Sequence, residues 1–323
     1  MDTASSQRAP SGGGERQVSR RVALGVGCGL VLAACARPQQ APVATLGLAA
    51  SPTPTGLGSP ASGSPGPGSP GLGSPGLGSP GLVGGPAGAS LSEVEAAFGS
   101  VQPSRWGLEV PGVVTRLNTG DQKVVALTFD ACGGRGGSGY DSALVALLRR
   151  HRIKATLFLN HRWILANREV ARELAQDPLF DLANHGTRHQ PLSVRGRWAY
   201  GISGTRSVRE VYDEVETNAA FMADLLGRPV RLFRCGTAFY DDVAASVVRD
   251  LGMYPVGFTV NGDGGATFSA RQVATAMRAV RPGAIVIGHM NHPLHATAAG
   301  MSRALPELSG AGYEFVHLAE HIT

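Results

Sequence analysis

The stretch KVVALTFDACGG, residues 123–134, decides the fold of this chain. Its apolar run from Val124 to Phe129 is typical of a buried strand, and the run stops at a single carboxylate, Asp130. A cysteine and two glycines follow at once. Because active sites of parallel α/β barrels lie where the strands end, Asp130 is a candidate general base.

The chain after this strand alternates strand-like and helix-like segments at short spacing. The predicted strands cover residues 124–129, 155–159, 180–183, 230–233, 255–260, 284–287 and 313–317. The predicted helices cover residues 141–150, 168–176, 208–226, 243–251, 270–280 and 298–308, after a weak helix at 91–98 and a hairpin or extended arm at 106–117. This alternation predicts βα units on a parallel sheet, and about seven units fit one α/β barrel better than two domains.

The N-terminus has the features of an export signal. Basic residues precede an apolar run, 22–34, that is too short to span a bilayer permanently. Small residues directly before Cys35 resemble the lipobox of bacterial lipoproteins, which implies that segment 1–34 is cleaved and that Cys35 is lipidated. The alternative is a plain signal peptide with a chance cysteine. We expect an exported lipoprotein anchored to a membrane of the cell envelope.

Residues 35–90 are rich in Pro, Gly and Ser, with Gly-Ser-Pro repeated every five residues, and this composition predicts a disordered linker. The ordered catalytic domain is then predicted to cover residues 91–323. The net charge of +5 is thinly spread, so we expect no nucleic-acid partner. We expect a monomer.

Polar residues fall at the ends of several predicted strands: Asp130, His185, Arg234 and His289. Each residue alone would be interpreted as a structural polar group whose hydrogen bonds are made within the protein. Parallel strands, however, present their carboxyl ends at one face, so together these residues predict a shared site. His185 and His189 are four residues apart, so on a helical turn both imidazoles could bind one metal. Imidazole and carboxylate ligands suit Zn²⁺, and Co²⁺ or Ni²⁺ would also fit.

Five motifs in succession resemble those of the NodB-type polysaccharide deacetylases, carbohydrate esterase family 4. They are Thr128-Phe129-Asp130, His185-x-x-x-His189, Phe233-Arg234, Asp263 and Ile287-Gly288-His289. The resemblance implies a deformed (β/α)7 barrel, a divalent metal, and hydrolysis of N- or O-acetyl groups on a polysaccharide substrate.

The resemblance also implies roles. His185 and His189 would hold the metal, and Asp130 would be the general base that activates a water at the metal. Arg234 would pair with Asp130 and keep it ionised. The metal and a backbone N–H near Arg234 would stabilise the oxyanion.

His289 would be the general acid that protonates the leaving amine, and Asp263 would hold that imidazole cationic. His292 is a second choice for the acid, and both His292 and Tyr240 are candidates for substrate contact or for support of the site. Asp141 is predicted to cap the helix that follows it.

The chain departs from the family pattern at Ala131, where a second aspartate usually binds the metal. Three alternatives are open for the third metal ligand: Asp130 binds the metal directly, the Cys132 thiolate does so, or water fills the position. We favour Asp130 or water. Cys132 and Cys235 would lie on neighbouring loops, so a disulfide and two free thiols are equal alternatives.

The leading hypothesis is a metal-dependent hydrolase that removes acetyl groups from an envelope or extracellular polysaccharide. N-acetyl groups are the preferred substrate in this hypothesis. Two alternatives follow from Ala131: a metal-independent C–N hydrolase on the same barrel, and a glycan-binding lipoprotein without activity. The sequence does not identify the polysaccharide.

Overall fold

The computed structural model describes residues 88–322. The predicted signal peptide 1–34, the lipidation site Cys35 and nearly all of the predicted linker 35–90 lie outside the described residues. The helices are α1 Leu91–Phe98, α2 Ser142–His151, α3 His161–Ala166, α4 Arg168–Gln176, α5 Val208–Leu226, α6 Asp242–Asp250, α7 Ala270–Met277 and α8 Thr297–Gly310. Within residues 88–322, no helix is both long and apolar enough to cross a bilayer.

Twelve strands are formed in the described residues, several of them only two residues long. They are β1 Trp106–Gly107, β2 Val124–Ala131, β3 Ala155–Leu159, β4 Phe180–Asn184, β5 Trp198–Ala199, β6 Ile202–Ser203, β7 Leu232–Phe233, β8 Tyr240–Asp241, β9 Tyr254–Pro255, β10 Val260–Asn261, β11 Ala284–His289 and β12 Glu314–Phe315.

The main sheet is parallel and has the order β10-β11-β2-β3-β4-β7-β9, with β12 also paired to β2. Its two edge strands, β9 and β10, are separated by residues 256–259 alone. In a flat sheet the edges of seven strands would lie about 29 Å apart. Four linking residues span at most about 17 Å. The sheet therefore curls, and it forms the predicted deformed barrel.

Strand β2 shows why the sequence folds in this way. All eight of its residues are buried, because helices cover one face of the sheet and the curled sheet encloses the other. Val125, Leu127 and Phe129 belong to the core beneath the helices. Val124 and Ala126 belong to a second, smaller core with residues of other strands. Alternation along the strand puts Asp130 on the same side as this second core.

Most predicted elements are confirmed within a few residues, and α5 and β3 match their predicted ranges in full. The predicted strand 255–260 is wrong, because the chain there leaves one edge of the sheet as β9 and joins the other edge as β10. Helix α3 was not predicted; its cap, Asn160, accepts a hydrogen bond from the Arg162 N–H immediately after β3. Asp141 caps α2 as predicted, through the Leu144 N–H.

Candidate functional site

The carboxyl ends of β2, β4, β7 and β11 converge at one edge of the curled sheet. Asp130 and His289 are Cα partners on the neighbouring strands β2 and β11. Asn184 at the end of β4 is the partner of Phe233 at the end of β7, so His185 and Arg234 leave the sheet side by side. The structure thus brings together the polar residues that the sequence placed at strand ends.

Asp130 is buried and forms an ion pair with Arg234, whose Nη1 lies 2.8 Å from Oδ1. The Arg234 guanidinium also donates to Thr128 and to the carbonyl of Gly257, and it stacks 4.2 Å from the centroid of the Phe158 ring. Burial by itself raises the pKa of Asp130, but Arg234 and the nearby imidazoles outweigh it and lower that pKa. The carboxylate is therefore held ionised.

His185 is fixed in one tautomer by its surroundings. Its Nδ1 lies 2.8 Å from the carbonyl oxygen of Arg234, which can only accept, so Nδ1 carries the proton. Its Nε2 faces Asp130 Oδ2 at 3.6 Å and Cys132 Sγ at 3.7 Å, and although burial by itself lowers the pKa of His185, these two acidic neighbours outweigh it and raise that pKa. The ring of His189 meets that of His185 edge to face, with centroids 4.9 Å apart.

Three ligand atoms gather here, one each from Cys132, His185 and His189, all within 4.8 Å of one another. Burial alone raises the pKa of the Cys132 thiol, but His189, His185 and His289 outweigh it and hold the pKa well below its usual value. A thiolate with two imidazoles is a donor set that suits a divalent metal such as Zn²⁺. The residues present therefore fit the metal that the sequence predicts.

The segment from His185 to His189 is a loop and not the helical turn that the spacing suggested. Gly186 and His189 have φ values of 74° and 64°, in the left-handed region. The buried carboxylate of Glu214 accepts hydrogen bonds from the N–H groups of Arg188 and Gln190, and Asn160 donates to the carbonyl oxygens of His185 and Gly186. These contacts, and not helical geometry, bring the two imidazoles together.

Two supporting residues were missed by the sequence analysis, although α5 carried a signal for them. Glu214 and Asn218 are buried polar residues inside the apolar stripe of that helix. Asn218 donates to Asn184 Oδ1 and to the carbonyl of Leu159, beneath the His185 loop. Burial raises the pKa of Glu214 despite the N–H groups that it accepts from. Polar residues that interrupt an apolar stripe thus marked the side chains that support the metal-binding loop.

His289 and Asp263 form a second buried pair. His289 Nδ1 lies 2.9 Å from Asp263 Oδ1, and the His289 backbone N–H donates to Oδ2 at 2.7 Å. Thr297 also donates to Oδ2, so both carboxylate oxygens are engaged. Burial by itself lowers the pKa of His289, but Asp263 and Cys132 outweigh it and raise that pKa well above its usual value.

The remaining predicted residues are less directly involved. His292 is partly buried and stacks on His295, with ring centroids 4.8 Å apart. Tyr240 is fully buried, and its hydroxyl contacts the Cys235 N–H and two backbone carbonyls, so it supports the Arg234 loop. Cys132 and Cys235 are free thiols, and the disulfide considered from the sequence is not formed. Cys235 donates instead to the Phe239 carbonyl.

Comparison with known proteins finds similarity to one family over part of the chain. The sequence model for the polysaccharide deacetylases matches residues 117–256. The bifunctional xylanase/deacetylase of Pseudobutyrivibrio xylanivorans is 22% identical over 204 residues, which are 63% of this chain and 31% of that protein. This chain therefore spans less than a third of that relative's length.

Solved structures agree on the fold. A carbohydrate esterase 4 pseudoenzyme of Bacillus anthracis superimposes with a TM-score of 0.55 and 23% identity, over 66% of this chain and 69% of that one. PdaA of Bacillus subtilis, a family 4 carbohydrate esterase, gives a TM-score of 0.53 and 18% identity, over 72% of this chain and 89% of that one. The deformed barrel predicted from the sequence is confirmed.

Proposed function

We propose that this chain is a NodB-homology protein of carbohydrate esterase family 4 and acts as a metal-dependent hydrolase that removes acetyl groups from an envelope polysaccharide. One observation carries the proposal: Asp130 and His289 are partners on adjacent strands, and Asp130 Oδ2 lies 3.6 Å from Nε2 of His185 in the 185–189 loop. Each is stabilised in its charged form by a buried residue of opposite charge. A base and an acid side by side are what amide hydrolysis requires.

Asp130 acts as the general base. Its Oδ1 is bound to Arg234, which leaves Oδ2 to accept the proton of the attacking water. The guanidinium prevents burial from neutralising the carboxylate, so the base is ionised at neutral pH. Arg234 is a positioning residue in this scheme, since it acts through Asp130.

His289 acts as the general acid. Its Nδ1 is engaged by Asp263, so Nε2 is the atom that delivers a proton to the leaving group. An amine leaves from a tetrahedral intermediate only when it is protonated, and a cationic imidazole supplies that proton. This requirement is stronger for an amine than for an alcohol, which favours N-acetyl over O-acetyl substrates.

The divalent metal would be held by the two imidazoles, His185 and His189, with Zn²⁺ preferred. When bound, it would polarise the acetyl carbonyl and make water a better nucleophile near neutral pH. The hydrogen bond from His185 Nδ1 to the Arg234 carbonyl leaves Nε2 as the ligand atom, as is usual for metal-binding histidines.

The test measures acetate release by the full chain from N-acetylglucosamine oligomers and from peptidoglycan, with Zn²⁺ added. We expect Asp130→Asn and His289→Asn to reduce turnover by about 10²–10⁴-fold, the usual contribution of general acid–base groups. Asp121→Asn and His151→Asn are matched controls, because both residues are exposed, Asp121 before the start of β2 and His151 at the end of α2. Undiminished acetate release in Asp130→Asn would overturn the base assignment.

Two alternatives are outcomes of the same assay. A carbohydrate esterase 4 pseudoenzyme has this fold, and a mutant of it has restored enzymatic activity, so the fold alone does not guarantee turnover. Glycan binding without acetate release, with metal supplied, would favour the non-catalytic glycan-binding lipoprotein. Full activity after chelation would favour the metal-independent C–N hydrolase.

We also propose that the chain is exported and lipidated at Cys35, on the strength of the leader sequence. Cys35→Ala should release the protein from the membrane fraction, because the lipid on that cysteine is the proposed anchor. Cys28→Ala, inside the same apolar run, is the matched control and should remain membrane-bound. Equal distribution of both variants would count against lipidation.

A further inference from the structure

We propose that Cys132 is the third protein ligand of the metal, so that the centre is a thiolate site formed by Cys132, His185 and His189. This inference rests on the proposed function, because it concerns the metal of that same site. It replaces the two alternatives for the third ligand that the sequence favoured, which were Asp130 and water.

The distances carry the inference. In a tetrahedral Zn²⁺ site, bond lengths of about 2.3 Å to sulfur and 2.05 Å to nitrogen give S···N separations of about 3.6 Å. Cys132 Sγ lies 3.7 Å from His185 Nε2. All three ligand atoms, including that of His189, fall within 4.8 Å of one another, so only small movements are needed to complete the site.

Side-chain direction explains why Cys132, and not Ala131, supplies the ligand. Ala131 is fully buried and belongs to the core beneath the helices, and its Cα partner is Leu159 on β3. The next residue, Cys132, is only partly buried and has its sulfur beside the imidazoles. A turn at Gly133, with φ of 67°, follows directly. The ligand position has therefore moved one residue along the chain.

Asp130 is not needed as a ligand in this arrangement. Its Oδ1 is committed to Arg234, and binding the metal through Oδ2 would leave no oxygen free to accept a proton. A thiolate carries the same single negative charge as the carboxylate that it replaces, so two neutral imidazoles complete a site of unchanged charge. The sulfur changes the preference among metals, since thiolates favour Zn²⁺ and carboxylates suit Mg²⁺ and Mn²⁺.

The experiment uses the full chain, stripped of metal and titrated with Co²⁺ alone, and follows the near-ultraviolet band of thiolate-to-cobalt charge transfer. We expect one equivalent of Co²⁺ to produce the band in the unmodified protein. Cys132→Ser should abolish the band and lower the affinity for Co²⁺ and Zn²⁺ by more than about 100-fold, which exceeds the usual loss when a residue that only hydrogen-bonds a ligand is changed. Cys235→Ser is the matched control, and it should keep both the charge-transfer band and the metal affinity of the unmodified protein.

A second measurement covers the case in which the Ser variant folds poorly. Iodoacetamide should alkylate Cys132 in the metal-free protein, and Zn²⁺ should protect it, as read by peptide mass spectrometry. Bound Co²⁺ without the band, or alkylation unaffected by Zn²⁺, would overturn the assignment. If acetate is released while Cys132→Ser binds metal normally, only the ligand proposal fails. If the band appears but no polysaccharide is deacetylated, only the proposed function fails.

Discussion

Replacement of Arg234 by methionine tests the buried ion pair on which the proposed base depends. Arg234 is fully buried, and its removal leaves the Asp130 carboxylate without its strongest partner. Breaking a buried pair at one end costs about 3–5 kcal/mol, because an uncompensated charge remains. In Asp130→Asn/Arg234→Met no charge remains, so we expect the double variant to lose less than the sum of the two singles, with a coupling of about 2–3 kcal/mol.

The pH dependence of this effect has a definite sign. In the unmodified protein the pKa of Asp130 is lowered, so its contribution to stability is present above the unfolded-state pKa, about 3.9, and is lost as the pH falls through the lower folded-state value. Without Arg234, burial shifts that pKa upward, and protonation relieves the unpaired charge at a higher pH. The stability gap between the unmodified protein and Arg234→Met should therefore narrow as the pH falls from 7 towards 4.

The measurement is urea unfolding of the full chain at several pH values, for both single variants and the double variant. Arg150→Met is the control, because Arg150 is an exposed arginine whose loss should change the free energy of unfolding by no more than about 0.5 kcal/mol. The reasoning is refuted if the coupling is below about 0.5 kcal/mol, or if the stability gap between the unmodified protein and Arg234→Met is the same at pH 7 and pH 4.

Three further predictions concern the groups around the strand ends. Asp263→Asn should lower the pKa of His289, so the alkaline limb of the pH profile for acetate release should move to lower pH; an unmoved limb would separate Asp263 from the acid. Gly133→Ala should destabilise more than Gly136→Ala in thermal unfolding, because both have positive φ but only at Gly133 would a Cβ lie 2.5 Å from a backbone nitrogen; equal losses would contradict this. Glu214→Ala leaves two N–H groups of the His189 loop without their acceptor and should weaken Zn²⁺ binding by about 10–100-fold in a competition titration; unchanged affinity would show that the loop is held by other contacts.

Much of the fold could be predicted from periodicity. Helix α5 has apolar residues at spacings of three and four, and it matches its predicted range in full. The short strands were harder to predict. Strands β9 and β10 have two residues each, and each pairs with a different strand, at opposite edges of the sheet. A single apolar run, 255–260, gives no sign of that break. The break between β9 and β10 is set by their pairing partners, which are distant in the sequence.

The sequence by itself determined that Asp130, His185, Arg234 and His289 would end strands of one parallel sheet, because apolar runs fix the strands and parallel pairing brings their ends together. Tertiary structure alone decided which side chain stands beside the two imidazoles. That outcome depends on the direction of the chain after Ala131 and on a loop held by Glu214, which comes from a helix far along the sequence. Side-chain direction beyond a strand end is set by such distant contacts, and no local pattern records it.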